Sequence, residues 1–542
     1  MNNGVIKEIG FENEKVREYA VGSKERAELK KTLKEMREQM LDIPIVIGGK
    51  EIRTGNTGKC IVPHDNKKVI GIYHKAGKKE AEMAIDAALS AKKKWEKLSW
   101  EHRVGIFLRA AELAAGPWRA RLNAATMLTQ SKTYFQAEID AACESVDFLK
   151  SNASSLYKIY SEQPISTRDS WNRTQYRPLD GFVFAVTPFN FTAIGCNLSA
   201  APAMAGNTVI WKPASNVVYS SYIVYQLFKE AGLPDGVINF LPGSGSEIGN
   251  VVLKDPNLAG IHFTGSTDTF QEMWKAVGDN IQNYRSFPKL VGETGGKNYV
   301  LAHASADVDT LVAALIRGAY ELQGQKCSAT SRCYIPKSLW PEVKEKMIRE
   351  ISTIKVGDVE DFSNFIGAVI DQASFDKIKS YIDYAKNSHD AEILAGGKCD
   401  DSKGYFIEPT FILTNNPDFR TLKEEIFGPV LTAYVYEDER FDYAVDLCES
   451  TTKYGLTGSI FAKDRYVIAE VEDKLMHTAG NFYINDKTAG ASVGLQPFGG
   501  ARASGTNDKV GSIFNMMRWI SPRVIKDNFN QVNDYRYSDN IE

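Results

Sequence analysis

Between about residues 181 and 293 the sequence alternates short apolar runs with helix-like stretches, and this alternation constrains the fold more than any other feature of the chain. Gly181-Phe182-Val183-Phe184-Ala185-Val186 is an unbroken apolar run that stops at Thr187-Pro188, and a small-residue helical stretch follows over 193–205. Runs at 208–211, 237–241, 261–264 and 289–291 continue the pattern, with helices expected at about 217–231, 247–253 and 270–277 between them. Strands that are apolar throughout, rather than at every second residue, are buried on both faces, and helical connections of this length join parallel neighbours. The prediction is an α/β fold with a parallel sheet covered on both sides. Ligands of such sheets bind beyond the carboxyl ends of the strands. Thr187 to Phe191, Lys212 to Ser215, Gly265 to Thr267 and Glu293 all stand at those ends, so one crevice is expected to collect them.

Two glycine-rich turns compete for a phosphate in that crevice. Gly243-Ser244-Gly245-Ser246-Glu247-Ile248-Gly249 resembles a GxGxxG turn but has three residues before its last glycine. Gly265-Ser266 also follows a strand and opens a helix, where free N–H groups and the helix dipole favour an anion.

The chemistry is carried by a thiol and a carboxylate. Cys327, in Gly324-Gln325-Lys326-Cys327-Ser328, follows Glu293 by 34 residues. A thiol nucleophile with a general base is minimal equipment for covalent chemistry at a carbonyl, and only the thiolate attacks well. The seven cysteines are scattered and odd in number, which reads as reduced thiols in a cytosol-like compartment. No CxxC or HExxH spacing occurs, so no metal is expected. A net charge of -3 offers no basic stripe for nucleic acid, and no apolar run reaches the length of a membrane span. The amino terminus, Met1-Asn2-Asn3-Gly4 followed by Glu8, Glu12 and Glu14, has neither the apolar core of a signal peptide nor the basic character of a transit peptide. Small metabolites remain as ligands.

Asn190 after a strand, Lys212-Pro213-Ala214, Phe263-Thr264-Gly265-Ser266, Glu293-Thr294-Gly295-Gly296-Lys297, the Cys327 run and Glu424-Glu425-Ile426-Phe427-Gly428-Pro429 stand in an order that resembles the NAD(P)-dependent aldehyde dehydrogenase superfamily. The likeness continues through Pro497-Phe498-Gly499-Gly500. The runs 43–49, 187–191 and 498–508 are similar to the branch formed by the Δ1-pyrroline-5-carboxylate dehydrogenases, which act on glutamate γ-semialdehyde.

The resemblance implies a Rossmann-type NAD-binding domain, an α/β catalytic domain, and an oligomerisation element of a β-hairpin and a C-terminal strand. The boundaries it implies are a helical arm over 1–40, a cofactor domain over 41–164 and 182–292, a catalytic domain over 293–514, and the oligomerisation element over 165–181 and 515–542. It makes Cys327 the nucleophile, Glu293 the general base that activates water, and the Asn190 amide with the Cys327 N–H the oxyanion donors. Thr187, Lys212, Ser215, Gly265, Ser266, Glu425 and Phe427 would hold NAD, and NADP stays open because Ser215 stands where many NAD-preferring relatives carry a carboxylate. Glu144, Phe191, Ser328, Gly490, Ala491 and Phe498 would hold the amino acid end and aliphatic chain of the substrate. Succinate semialdehyde is the alternative substrate.

The resemblance also implies a homodimer or larger homo-oligomer, built on a protruding hairpin over 166–176 with 519–525 as its partner strand. Residues 23–40, with Leu29, Leu33 and Met36 near helical spacing, are expected to form an amphipathic arm on the first domain. A transient proline dehydrogenase partner follows from the pathway. The expected compartment is the cytoplasm, or the mitochondrial matrix for a processed eukaryotic chain.

Overall fold

The computed structural model describes residue 7 and residues 9–540. Met1 to Gly4 and Glu8, part of the run used above against a leader peptide, and the last two residues of the C-terminal element lie outside the described residues. Among the described residues the fold is α/β and is built on two seven-stranded sheets. In the first, Lys289–Glu293, Leu258–Thr264, Phe182–Val186, Thr208–Lys212 and Ile238–Phe240 lie side by side and parallel, and the antiparallel pair Ile45–Ile47 and Lys50–Ile52 extends one edge. The five expected strands are all present and reach the expected ends. From Phe182–Val186 the chain winds outward in one direction and then returns to its other side with Leu258–Thr264, so the topological switch point lies between these two strands. That is where open α/β sheets bind ligands.

Both faces of this sheet are buried, which is why its strands read as continuous apolar runs. Val183, Ala185, Val209, Trp211 and Phe240 pack to one side against helices that include Trp100–Ala115, Arg119–Gln130 and Val218–Glu230. Phe182, Phe184, Ile210, Ile261 and Phe263 pack to the other, against Ala81, Ala84, Ile85 and Ala88 of the helix Lys78–Trp95.

The second sheet runs Ala391–Ala395, Thr410–Thr414, Val430–Tyr436, Thr330–Pro336, Asn298–Ala302, Thr457–Phe461 and Asn481–Ile484, parallel except for its first strand. Its functional end is the opposite one. Cys327 stands just before the start of Thr330–Pro336, and Glu425 and Phe427 just before the start of Val430–Tyr436. The crevice is therefore formed by the carboxyl ends of one sheet and the amino ends of the other.

The charged N-terminal stretch forms the helix Lys24–Glu38, capped by the Ser23 hydroxyl, with Leu29, Leu33 and Met36 buried. Ahead of it the chain runs past the first domain and reaches a loop of the C-terminal half: the Asn13 amide donates to Asp147 Oδ2 and to the Val493 carbonyl, both at 2.9 Å. The expected pairing of the protruding segment with a C-terminal strand is present: Ser170–Pro178 pairs antiparallel with Ile520–Asn528 over its whole length, starting four residues after 166, while 162–167 ahead of it is no strand. Pro164 has no N–H for a ladder, and the arm is tied down instead by side chains, with Gln163 Oε1 accepting from Thr174 N at 2.8 Å and Ser166 Oγ from Asn172 N at 3.0 Å. Trp519 is also not part of the strand: it is fully buried and packs on the His262 ring at 4.6 Å between centroids.

Candidate active site

The loop that delivers Cys327 is strained. Leu322, Gln323 and Gly324 follow one another with φ of 55°, 55° and 64°, the left-handed region that non-glycine residues avoid. Gly324 is required by contact as well, since a Cβ there would lie 2.2 Å from the Gly428 carbonyl oxygen. This close approach brings the cysteine run against the Glu425–Gly428 run, 100 residues later in the chain. The Asn298 amide then donates to the carbonyls of Cys327 and Ala329 at 2.7 and 2.8 Å, fixing the backbone on both sides of the thiol.

Asn190 comes from the first sheet, four residues beyond Phe182–Val186. Its Nδ2 donates to the Gln325 carbonyl at 3.0 Å, which sets the amide beside the cysteine loop with a second N–H still to give. Burial pushes the Cys327 thiol up to about 12, with the charges of Glu293 and Glu425 adding to the effect. Burial likewise holds the Glu293 carboxyl well above the ordinary carboxylate range, against a Gly500 N–H that donates to its Oε2 at 3.0 Å and the nearby Lys509 ammonium. Thiol and carboxyl are thus mutually aware, and both are neutral-favouring in the closed protein.

On the cofactor side both glycine turns survive as helix N-termini. Ser244 caps Gly245–Val252 and Ser266 caps Thr267–Asp279. The N–H of Gly265 is not free for a phosphate as expected: it donates to the Glu293 carbonyl at 3.2 Å, tying two strand ends together. Lys212 reaches toward the other turn, its Nζ 3.9 Å from where a Cβ on Gly245 would stand, and burial lowers its amine. Thr187 is buried, its hydroxyl accepting from Trp211 Nε1 at 3.0 Å, while Ser215 is exposed at the rim. Glu425 is the inward glutamate of its pair: Oε1 accepts from Gly296 N at 2.8 Å, and a Cβ on Gly295 would meet Oε2 at 2.6 Å. Glu424 faces outward to Tyr381 and Arg420. Phe427, itself at φ 62°, stands edge-on to Phe189 at 5.6 Å.

On the other side of Cys327, Thr488 Oγ1 donates to the Ser328 carbonyl at 2.8 Å, which ties the chain leading to Gly490, at φ +97°, and Ala491 to the cysteine run. Glu144 ends a π-helical turn, Glu138–Glu144, of the kind that accompanies functional sites. Burial raises its carboxyl to about 8, Asp140 adding to the rise and Lys132 and Lys326 opposing it. Phe191 is half-buried under Lys132, whose Nζ lies 4.1 Å from the ring centroid, and Phe498 is half-buried in the 498–510 loop.

Several residues of this environment escape sequence reasoning. Lys132 pairs with Asp140 at 2.5 Å in full burial, and the Asp140 oxygens accept from the N–H groups of Thr192 and Ala193 at 2.9 Å each, capping the helix Thr192–Met204 that follows Asn190. Acids at 138, 140, 144 and 147 among small apolar residues were the available clue. Lys297 is buried with its Nζ on Ser331 Oγ at 2.5 Å, and burial lowers its amine to about 7. Lys509 lies behind Glu293. Among the described residues no group of histidine, cysteine and acid side chains could hold a metal, and no helix is long and apolar enough to cross a membrane.

The sequence profile of the aldehyde dehydrogenase family matches residues 52–524. A mitochondrial Delta-1-pyrroline-5-carboxylate dehydrogenase of Dictyostelium discoideum is 50% identical over 528 residues, 97% of this chain and 95% of that one. The crystal structure of the Delta-pyrroline-5-carboxylate dehydrogenase from Mycobacterium tuberculosis bound with NAD superposes with a TM-score of 0.96 at 47% identity, covering 99% of each chain. Proline utilization A from Bdellovibrio bacteriovorus superposes at 0.91 and 29% identity, over 97% of this chain and 54% of its own.

Proposed function

The chain belongs to the aldehyde dehydrogenase family, and from that premise we propose that it oxidises L-glutamate γ-semialdehyde, the hydrolysed form of 1-pyrroline-5-carboxylate, to L-glutamate with NAD, the second step of proline breakdown. The observation that carries the reading is identity of 50% to a named 1-pyrroline-5-carboxylate dehydrogenase along nearly the whole chain, with a thiol, a carboxyl and an amide gathered from both sheets at one crevice.

The residues present fit a dinucleotide: two capped helix N-termini open near the switch point, a buried lysine reaches one of them, and Gly295 leaves room for an inward glutamate. Lys212 and Ser215 would hold the adenosine half, Ser266 and the N-terminal turn of Thr267–Asp279 the pyrophosphate with Thr187 nearby, Glu425 the nicotinamide ribose, and Phe427 would pack near the ring. Bound there, NAD supplies the hydride acceptor that converts a thiohemiacetal on Cys327 to a thioester.

Every other part of the reaction falls to the chain. Cys327 Sγ, once deprotonated, attacks the aldehyde carbon. The developing oxyanion lies toward Asn190 Nδ2 and the Cys327 N–H, donors already in place before charge appears. Glu293 takes a proton from water as the water oxygen attacks the thioester carbon; the C–S bond then breaks, Sγ leaves as the thiolate, and the protons of the carboxylic acid product and of Glu293 pass to solvent. The Ser328 hydroxyl and the N–H groups at 490–491 would hold the α-carboxylate, Glu144 the ammonium, and Phe191 and Phe498 the methylene chain.

The exposed ribbon of Ser170–Pro178 and Ile520–Asn528 supports a homodimer or larger homo-oligomer, because an open strand edge pairs readily with another chain. A proline dehydrogenase is the natural transient partner. The compartment is the cytoplasm, or the mitochondrial matrix in a eukaryotic cell. The direct test is intact-protein mass spectrometry of Glu293→Gln given pyrroline-5-carboxylate and NAD. An acyl adduct on Cys327 is expected, and its absence with NADH still released at the wild-type rate would remove Glu293 as the base.

A further inference from the structure

The loop 498–510 closes on itself around Glu293, and Lys509 at its base has no part in the reaction as described. Phe498 and Val510 exchange backbone hydrogen bonds at 3.1 and 2.7 Å, sealing the base of the loop. Within it, Thr294 N donates to the Ser504 carbonyl and Thr506 N to the Gly292 carbonyl, both at 2.9 Å, so the loop grips the strand end on either side of Glu293. Lys509 sits at the base with φ 50°, a left-handed conformation unusual for lysine. Its Nζ gathers the Gly480 carbonyl at 2.6 Å, and the Gly499 carbonyl and Asn481 Oδ1 at 3.3 Å. The carbonyl of Gly499 belongs to the same peptide unit as the Gly500 N–H that donates to Glu293 Oε2.

We propose that Lys509 is a positioning residue for the general base: it ties the Gly499 carbonyl of the Phe498–Gly500 turn to Gly480 and Asn481 through three oxygen contacts, one of them in the turn, and its ammonium favours the carboxylate form of Glu293. This rests on the reading of Glu293 as the base. The charged groups facing Glu293 are Lys509 and Asp508 from the loop and Cys327 from the second sheet. Asp508 is itself occupied, accepting from Thr506 Oγ1 at 2.5 Å and facing Arg518 Nε at 3.3 Å. Lys509 is left as the cation that offsets burial of the Glu293 carboxyl, and the attraction is mutual, since the Glu293 charge opposes the desolvation that lowers the Lys509 amine. Cation and hydrogen bond act in the same direction here, because both favour the ionised base.

The test is the pH profile of NADH formation from pyrroline-5-carboxylate for wild type, Lys509→Gln, Lys509→Arg and Glu293→Gln, with NAD affinity followed by quenching of protein fluorescence. Gln keeps N–H donors for the carbonyls and removes the charge; Lys509→Met serves if Gln does not fold. The acid limb is expected to move up by about one pH unit in Lys509→Gln, with about tenfold slower turnover on that limb. In Lys509→Arg it should stay near the wild-type position, with NAD affinity unchanged in all. An acid limb that coincides in Lys509→Gln and wild type overturns the proposal, even if the rate falls, because a purely structural role would lower turnover without moving the limb. Wild-type turnover in Glu293→Gln would instead overturn the base assignment, and this inference with it.

Discussion

Burial pushes both the Cys327 thiol and the Glu293 carboxyl above their ordinary values, the thiol being the more accessible of the two. Raising a carboxyl means that its base form appears only at higher pH, so kcat should climb with pH through a limb lying above the ordinary carboxylate range of about 4. A profile flat from pH 5 upward would contradict that. Asn190 stands on firmer geometry, and Asn190→Ala should lower kcat by about a hundredfold or more, measured by NADH formation, with little change in NAD affinity. That Glu293 and Asn190 would face one crevice was legible in the sequence because each stands at or just beyond the end of an apolar run, whereas Cys327 was placed by its motif. Lys132, Asp140 and Lys509 were not legible, since a charged residue in a helix or loop gives no sign of whether it is solvated or buried. Their role depends on what folds against them from far along the chain, as when Asp140 caps a helix 52 residues later.

At the scale of elements, the strand ends do the positioning. Gly295 is placed where a methyl would press on Glu425 Oε2, so Gly295→Ala should weaken NAD binding, read by fluorescence titration, while leaving the thermal transition nearly unmoved; an unchanged Kd would contradict this. Asp140 couples a buried lysine to a helix N-terminus, and Asp140→Ala leaves Lys132 uncompensated. A loss of about 3–5 kcal/mol in denaturant unfolding is expected, and Lys132→Met with Asp140→Leu should recover most of it. Stability unchanged in the single variant would show that the pair is relaxed by water. The five parallel strands of the first sheet were readable from continuous apolar runs, with boundaries off by up to three residues. The second sheet was not, because its strands are spread over 298–484 and its active residues precede their strands instead of following them. The pairing of the 166–176 segment with the C-terminal strand was legible by motif likeness, while the bounds of the ladder, Ser170 to Pro178, were not.

For the whole molecule, the two sheets meet with opposite ends, and neither alone contains the proposed catalytic group: Glu293 and Asn190 come from one and Cys327 from the other. The ribbon lies outside both cores and exposes Trp171 and Val524 at 55% and 67%. Trp171→Asp with Val524→Asp should shift the sedimentation coefficient from an oligomer to a monomer, and an unmoved boundary would place the interface elsewhere. The substrate claim is the one on which the account turns. It is tested most directly by following NAD and NADP reduction with pyrroline-5-carboxylate and with succinate semialdehyde side by side, in wild type and Cys327→Ala. The account predicts NAD reduction with higher kcat/KM for pyrroline-5-carboxylate and none in the variant. Equal or better use of succinate semialdehyde would contradict the substrate assignment while leaving fold and thiol chemistry in place, and turnover surviving in Cys327→Ala would contradict the mechanism itself.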